Sequence, residues 1–167
     1  MTERNNVNRG FRKLRVWQDA INLYVAVCHV FSQAAFVHGK TVSNTLDAAH
    51  SISRNIAEGY CRRSVREYSN FLNIALGSSG EFCSCLIAAR QAGHVSEDHF
   101  QELDALHDNV ENQLLKLVQS VQQKQKEGRW DDSFLQDQAR NAATCAAVPS
   151  FHPSVLPLFL LNRRKVF

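Results

Sequence analysis

The chain has 167 residues, of which 44% are hydrophobic and 21% are charged, and its formal net charge at pH 7 is +3. These values are typical of a single globular domain, and the charge is too small to require a nucleic-acid partner, although it does not exclude one. The five cysteines are an odd number without the spacing of a disulfide framework, which argues against a disulfide-stapled secreted protein.

The N-terminal stretch from Met1 to Arg15 is polar and basic and lacks the apolar run of a signal peptide. No apolar stretch approaches the ~20 residues that are needed to span a bilayer. Together with the cysteine pattern, these observations predict a cytoplasmic protein without a membrane partner.

The placement of proline divides the chain. All three prolines lie at Pro149 or later, so the first 148 residues contain none. Because a proline inside a helix costs about 3 kcal/mol, this absence favours long helices, and no period-2 run or Asn-Gly turn indicates strands. We expect a disordered polar arm over residues 1–10, a helical bundle over 11–126, and a C-terminal extension over 127–167 that is poorly structured or packed on the bundle.

The first predicted helix runs from about Leu14 to Gln33. Its apolar residues recur at the heptad-like spacing of a bundle seam, in the order Leu14, Trp17, Ile21, Tyr24, Cys28 and Phe31. Further apolar residues, among them Val25 and Val30, form a second apolar surface on the same helix. A helix that packs along a single seam needs only one such surface. We therefore expect this helix to be central or to mediate self-association.

A predicted loop over residues 34–40, with Gly39 as the helix breaker, leads to a second helix from about Thr41 to Glu58. Small residues line much of this helix and allow a neighbouring helix to approach closely. Gly59 follows as the expected helix terminator.

A short basic turn precedes the third predicted helix, which runs from about Val65 to Ala92. Ser64 and Glu67 have the spacing of a capping box at its start. The run from Gly77 to Gly80 should weaken its middle, because each glycine costs up to ~1 kcal/mol relative to alanine. A kink or a very close helix crossing would explain this run, and a short break is the alternative.

The third helix is expected to end at Gly93 and His94, and Ser96 is the expected N-cap of a fourth helix, with acidic residues in its first turn. An unbroken 3-4 spacing follows and predicts its buried face: Phe100, Leu103, His107, Val110, Leu114, Leu117 and Val121. We interpret His107 as a hydrogen-bonded core or interface histidine.

Three motifs in this order resemble a known family, the four-helix-bundle proteins of the 23S rRNA intervening-sequence type. The first is Phe11 to Ala20, the second is the Ser-Ile-x-x-Asn-Ile-Ala-Glu-Gly pattern from Ser51 to Gly59, and the third is Phe71 to Ser78 followed by Glu81. The similarity covers about Phe11 to Gln123. Its structural motif positions are Trp17, Asn55, Glu58, Gly59, Gly77 and Glu81.

The resemblance implies an antiparallel four-helix bundle without known catalytic activity that forms ring-like homopentamers. Some members are encoded inside insertions of large-subunit ribosomal RNA genes. The chain is also distantly similar to the accessory proteins of diversity-generating retroelements, which are basic pentamers that bind RNA and a reverse transcriptase. It departs from the family where Asp47 to His50 replace the usual arginine before the Ser-Ile pair, which weakens an expectation of nucleic-acid binding.

Two basic clusters are the candidate contact residues, namely Arg12, Lys13 and Arg15 before the first helix and Arg62, Arg63 and Arg66 in the second turn. Repeated around a ring, they could bind phosphates. They could instead pair across subunits with the acidic fourth helix, or they could simply be solvated. The sequence leaves open whether the two clusters share one end of the bundle.

No pattern indicates catalysis, a cofactor, a metal or a small-molecule substrate. Cys83 and Cys85 are two residues apart on a helix and point about 200° apart, so they cannot chelate one ion together. No nucleophile elbow or phosphate-binding glycine loop is present. Asn55 and Glu58 are expected to stabilise the turn between the second and third helices through hydrogen bonds to the backbone. The alternative is that they bind a partner or a neighbouring subunit.

The sequence therefore predicts an all-α, antiparallel up-and-down four-helix bundle with an irregular C-terminal extension. Trp17 is expected to pack rather than to stack on bases. The predicted function is that of a non-catalytic, self-associating scaffold or interaction protein, pentameric by the resemblance. The alternative is an RNA- or DNA-binding accessory protein that uses a basic surface repeated around the ring.

Overall fold

Four α-helices carry the fold. The computed structural model describes residues 7–32, 39–62 and 64–129, and none of these lies in a strand. The elements are a 3-10 helix Val7–Lys13, α1 Arg15–Ser32, α2 Gly39–Tyr60, α3 Val65–Gln91 and α4 Glu97–Lys126. Residues 1–6 of the predicted arm, the loop residues 33–38, Arg63, and residues 130–167 of the predicted extension lie outside the described residues.

The helices form a square in which α1 contacts α2 and α4, and α3 contacts the same two helices. Successive helices run in opposite directions. Ser51 of α2 lies beside Ser78 of α3, and Ser79 of α3 lies beside His107 of α4. This confirms the predicted all-α antiparallel bundle. We call the end at which α1 and α3 begin the proximal end, and the opposite end, at which α2 and α4 begin, the distal end.

All four helices contribute to one core. Its largest fully buried apolar side chains include Leu23, Phe31, Ile52, Ile56, Leu72, Phe82, Leu103 and Leu114. Burying an aliphatic or aromatic side chain of this size contributes about 1.5–3 kcal/mol. The predicted buried face of α4 is confirmed at Leu103, His107, Val110, Leu114 and Val121, while Phe100 and Leu117 are partly buried at its edge.

The seam predicted for α1 is shifted from the observed one. The buried residues are Val16, Ala20, Leu23, Val27 and Phe31, so that most of the predicted seam lies at the edge of the core. The physical reason is that two apolar stripes compete on this helix. Trp17 and Tyr24 have polar atoms that favour a half-exposed position, and Ala20 lets a neighbouring helix approach closely.

Two glycines were predicted to interrupt helices and do not. Gly39 begins α2 rather than breaking the chain before it, and α2 continues through Gly59 to Tyr60. A Cβ added at Gly59 would lie 2.7 Å from the Cβ of Phe71. Gly59 is therefore needed for the close approach of α2 and α3 and not for helix termination.

The short break that was the alternative prediction at Gly77 to Gly80 is absent from α3. α3 runs through this stretch, Ser78 and Ser79 are buried, and the two glycines face outward with nothing within 4 Å of an added Cβ. Packing by α2 on one side and α4 on the other holds this part of α3 helical despite its low helix propensity.

Both predicted helix starts are confirmed in position, but only one of the two predicted side-chain caps is present. Ser96 caps α4, with its Oγ accepting a hydrogen bond from the backbone N–H of His99 at 3.3 Å. Ser64 precedes α3 without a side-chain capping bond, and the carboxylate of Glu67 lies 3.9 Å from the guanidinium of Arg62 instead. The predicted end of α3 is confirmed at Gly93, whose φ is +74°.

Glycine-to-alanine substitutions should have opposite effects at these positions. Gly77→Ala should raise the free energy of unfolding by up to ~1 kcal/mol, because the methyl group meets open space and improves helix propensity. Gly59→Ala should lower it, because the methyl group meets Phe71. Urea denaturation of both variants at one protein concentration measures the difference, and stabilisation by Gly59→Ala would contradict the close approach.

Candidate functional site

The two basic clusters lie at the same end of the bundle. Arg12 and Lys13 are exposed in the 3-10 helix, and Arg15 is exposed at the first position of α1. Arg62 and Arg66 flank the turn between α2 and α3. The ring of Phe11 lies 6.5 Å from the ring of Tyr60, which joins the start of α1 to the end of α2. The proximal end therefore carries both described clusters.

The end of α4 adds further basic residues to the proximal end. Lys124, Lys126 and Arg129 are exposed there, and Arg129 forms an ion pair with Glu127. These three residues do not belong to the basic clusters predicted from the sequence. Their signal was present in the sequence, since basic residues in the last turn of a helix interact favourably with its dipole.

Arg62 is held in contacts within the bundle. Its guanidinium lies 2.5 Å from the Glu58 carboxylate and 4.8 Å from the centre of the Phe71 ring. The pair is exposed to solvent, so it contributes at most about 1 kcal/mol. Arg62 thus joins α2 to α3, and part of the positive charge at the turn is balanced by Glu58 and Glu67.

An aromatic cluster supports the proximal end. The ring centres of Phe11 and Trp17 are 5.1 Å apart in an edge-to-face arrangement, and those of Tyr60 and Tyr68 are 6.2 Å apart. Burial raises the pKa of Tyr68 from 10.0 to about 12, with a smaller contribution from Tyr60. The cluster fixes the 3-10 helix on the bundle, and Trp17 packs against Phe11 as the sequence predicted.

The family motif residues Asn55 and Glu58 make contacts other than the expected backbone bonds across the turn. The Asn55 side-chain amide donates to the backbone carbonyl of Ser51 at 2.8 Å and to its Oγ at 3.0 Å. The Oγ atoms of Ser51 and Ser78 are 2.9 Å apart, so this polar chain reaches α3. Glu58 pairs with Arg62, while Gly77 and Glu81 lie on the exposed face of α3.

His107 links α4 to α3 inside the core. It is 3% exposed, and its Nε2 lies 2.8 Å from the Oγ of Ser79 and 3.1 Å from the Ser79 carbonyl oxygen. The ring of Phe82 lies 5.3 Å away. These contacts confirm the interpretation of His107 as a hydrogen-bonded core histidine.

Polar side chains also fix the other helix pairs. The Asp19 carboxylate of α1 accepts hydrogen bonds from the side-chain amides of Asn109 at 3.2 Å and Gln113 at 2.6 Å in α4. At the distal end the Arg90 guanidinium lies 2.8 Å from the Glu97 carboxylate, and it also lies over the ring of Phe100. These groups are engaged in holding the bundle together.

Two of the described thiols, those of Cys83 and Cys85, have little nucleophilic character. Burial raises the pKa of Cys83, and Asp104 and Glu111 raise it further. Burial and Glu81 raise the pKa of Cys85, against a smaller lowering by a hydrogen bond with Thr45. Because the thiolate is the reactive form, both groups are weak nucleophiles at neutral pH. Within residues 7–32, 39–62 and 64–129, no three His, Cys, Asp or Glu side chains are grouped to hold a metal ion.

Large apolar side chains remain exposed on three helices. Val25 is 59% exposed on α1, Ile74 and Ile87 are 51% and 41% exposed on α3, and Leu115 is 42% exposed on α4. Of the valines predicted to form a second surface on α1, Val16 and Val27 belong to the core and Val25 faces solvent. The exposed apolar surface is therefore mainly on α3 and α4.

α3 is the one helix in the described part of the chain that is long and apolar enough to cross a membrane by length and composition alone. Between Tyr68 and Ala89 its only charged residue is Glu81. A core helix meets the same criterion, and 33% of the most apolar stretch of α3 is buried inside the bundle. The other residues of this stretch are partly buried or exposed, and Ile74 and Ile87 are the large apolar residues of α3 that are exposed.

One family model matches the chain. The family described as 23S rRNA-intervening sequence protein aligns with residues 12–116, which is more than half of the chain and takes in α1, α2, α3 and two thirds of α4. No curated protein matches the chain.

Tyr68 should make stability depend on pH in the alkaline range. Its folded-state pKa of about 12 lies above its ordinary value of 10.0, so its contribution is fully present below pH 10 and is lost as the pH rises to about 12. Tyr68→Phe should therefore lose less unfolding free energy than the unsubstituted protein across this interval. Urea denaturation at several pH values tests this, and equal losses in the two proteins would contradict it.

Proposed function

The chain belongs to the 23S rRNA-intervening sequence protein family, and from that premise we propose that it is a non-catalytic, self-associating scaffold or interaction protein. The proposed assembly is a homopentameric ring, as the resemblance implies. The single observation that carries the proposal is the exposure of large apolar side chains on α3, where Ile74 is 51% and Ile87 is 41% exposed.

The residues exposed on α3 favour a protein partner over lipid. Ile74 and Ile87 lie on a surface that also carries Asn70, Asn73 and Glu81. Such polar groups would lack hydrogen-bond partners in a bilayer. Exposed apolar residues that are interspersed with polar ones are typical of protein–protein contact surfaces.

The chemistry of the described residues supports a role without catalysis. His107, Asp19 and Arg90 are each occupied by contacts between helices, and the thiols of Cys83 and Cys85 have raised pKa values. The odd number of cysteines without disulfide-framework spacing supports the proposal of a reducing, cytoplasmic location.

A second candidate function is binding of RNA or DNA through the proximal end. The observation that favours it is the placement of Arg12, Lys13, Arg15 and Arg66 at one end together with the basic end of α4. Repetition of this end around a ring would produce a continuous positive surface. Such a surface binds phosphates mainly by releasing counterions, so the affinity would fall with salt.

Self-association predicts a mass above that of one chain. Light scattering coupled to size exclusion should give a multiple of 18.9 kDa, and five times this value for the proposed ring. The apolar surface of α3 provides the physical reason. A mass of 18.9 kDa at every concentration tested would overturn the proposal.

If the protein binds nucleic acid, the basic residues of the proximal end should provide the affinity. Replacing Arg12, Lys13, Arg15 and Arg66 together with alanine should weaken binding to structured RNA or duplex DNA and make the salt dependence shallower. On duplex DNA the log–log slope should fall by ~0.9 for each phosphate that the variant no longer neutralises. Fluorescence anisotropy across a salt series measures both effects.

The matched control is Lys40→Ala, which removes an exposed positive charge at the distal end. It should leave the affinity and its salt dependence unchanged. Equal losses in both proteins, or no binding of the unsubstituted protein at low salt, would exclude the proximal end as a nucleic-acid site.

A further inference from the structure

The 3-10 helix Val7–Lys13, which we call the strap, contacts both α1 and α2 at the proximal end. The ring centre of Phe11 lies 5.1 Å from that of Trp17 in α1 and 6.5 Å from that of Tyr60 in α2. A Cβ added at Gly10 would overlap the Tyr60 side chain, so the backbone of the strap approaches this ring closely. The strap is therefore packed on two helices at once.

Hydrogen bonds fix the end of the strap that leads into α1. The side-chain amide of Gln18 in α1 donates to the backbone carbonyl of Arg12 at 2.7 Å, and the backbone N–H of Leu14 donates to the carbonyl of Phe11 at 2.9 Å. The strap has seven residues, which is longer than most 3-10 helices, and 3-10 hydrogen bonds have poorer geometry than those of an α-helix. We attribute its order to these contacts with the bundle.

The strap combines an apolar anchor with exposed positive charges. Phe11 is half-buried, whereas its neighbours Arg12 and Lys13, which we call the strap cations, are exposed. The backbone that carries the strap cations is thus already held on the bundle before any ligand binds. A group that is held in place loses less conformational entropy on binding than the same group on an unanchored segment, so it binds more tightly.

We propose that the strap is a preorganised phosphate-binding element of the proximal end, and that Phe11 and Gln18 are its positioning residues. The inference rests on the second candidate function, the binding of RNA or DNA, and names the groups that hold part of that site in place. Phe11 and Gln18 carry no charge. They act by holding the strap cations at the end of the bundle that also carries Arg66.

Limited proteolysis tests whether these contacts hold the strap. The variant Phe11→Ala/Gln18→Ala removes the ring contacts and the side-chain hydrogen bond without changing the net charge. Trypsin should then cleave after the strap cations at least ~10-fold faster, because cleavage reports the population of the undocked segment. Mass spectrometry of the early fragments measures the rate at these two bonds. Equal rates in the variant and the unsubstituted protein would overturn the inference.

Nucleic-acid affinity tests the positioning itself. In fluorescence anisotropy, Phe11→Ala/Gln18→Ala should weaken binding to structured RNA or duplex DNA at least ~5-fold, because the strap cations must then be ordered when the ligand binds. The matched control is Phe100→Ala/Gln101→Ala, which removes a ring and a hydrogen-bonded amide from the distal end. The control should leave both the affinity and the cleavage rate at the strap unchanged.

A double-mutant cycle separates positioning from a direct effect of the two neutral residues. In a background with both strap cations replaced by alanine, Phe11→Ala/Gln18→Ala should weaken binding by at most ~2-fold, since the groups that it positions are absent. An undiminished loss in that background would show that Phe11 and Gln18 act independently of the strap cations, and the inference would fail.

The outcomes also distinguish the inference from the function on which it rests. If the unsubstituted protein binds nucleic acid and Phe11→Ala/Gln18→Ala binds it equally well, the strap has no positioning role while the second candidate function stands. If the unsubstituted protein binds neither RNA nor DNA at low salt, the second candidate function fails, and the inference fails with it.

Discussion

The packing of α3 between its two neighbours depends on two adjacent serines that reach different helices. The Oγ of Ser78 lies 2.9 Å from Ser51 of α2, and the Oγ of Ser79 lies 2.8 Å from His107 of α4. Apolar contacts tolerate small axial shifts, but the pair of Ser79 and His107 does not, because a shift would leave the buried imidazole without its partner. The Ser78 hydroxyl also donates to the backbone carbonyl of Ile74 within α3. The pair of Ser79 and His107 therefore fixes both the height and the rotation of α3.

The orientation of α3 determines which surfaces the molecule offers. With Ser78 and Ser79 turned inward, Gly77, Gly80 and Ile87 must face outward. The antiparallel order of the helices then brings the starts of α1 and α3 and the ends of α2 and α4 to one end, which gathers the basic residues there. Three carboxylates of α4, those of Glu97, Asp104 and Glu111, interact with groups of α3. The separation of basic from acidic residues therefore follows from the order and the register of the helices. No single sequence motif produces it.

The sequence was sufficient for features that depend on local periodicity. The apolar stripe of α4 and its Ser96 cap could be predicted, because the sequence offers a single apolar spacing and a single capping residue there. α1 offered two apolar stripes, and only the space available in the core selects between them. The function of Gly59 could be assigned only from the structure. In a sequence, a glycine that adopts an unusual backbone angle looks the same as one that allows a close approach of two helices.

The candidate site was predicted in its residues but not in its arrangement. Arg12 and Arg66 were recognised as basic surface residues, yet their common end follows from the order of the helices and from the contact between Phe11 and Tyr60. The pair of Glu58 and Arg62 has i,i+4 spacing, so the sequence carried the signal for it.

The close approach of α2 and α3 at Gly59 has a consequence for the route by which the chain folds. The two helices are joined by a turn of four residues, from Cys61 to Ser64, and they share the most extensive contact between any two described helices. Contacts between segments that are adjacent in the chain close with little loss of loop entropy and form rapidly. The α2–α3 hairpin therefore has the properties of a folding nucleus, onto which α1 and α4 dock from either side.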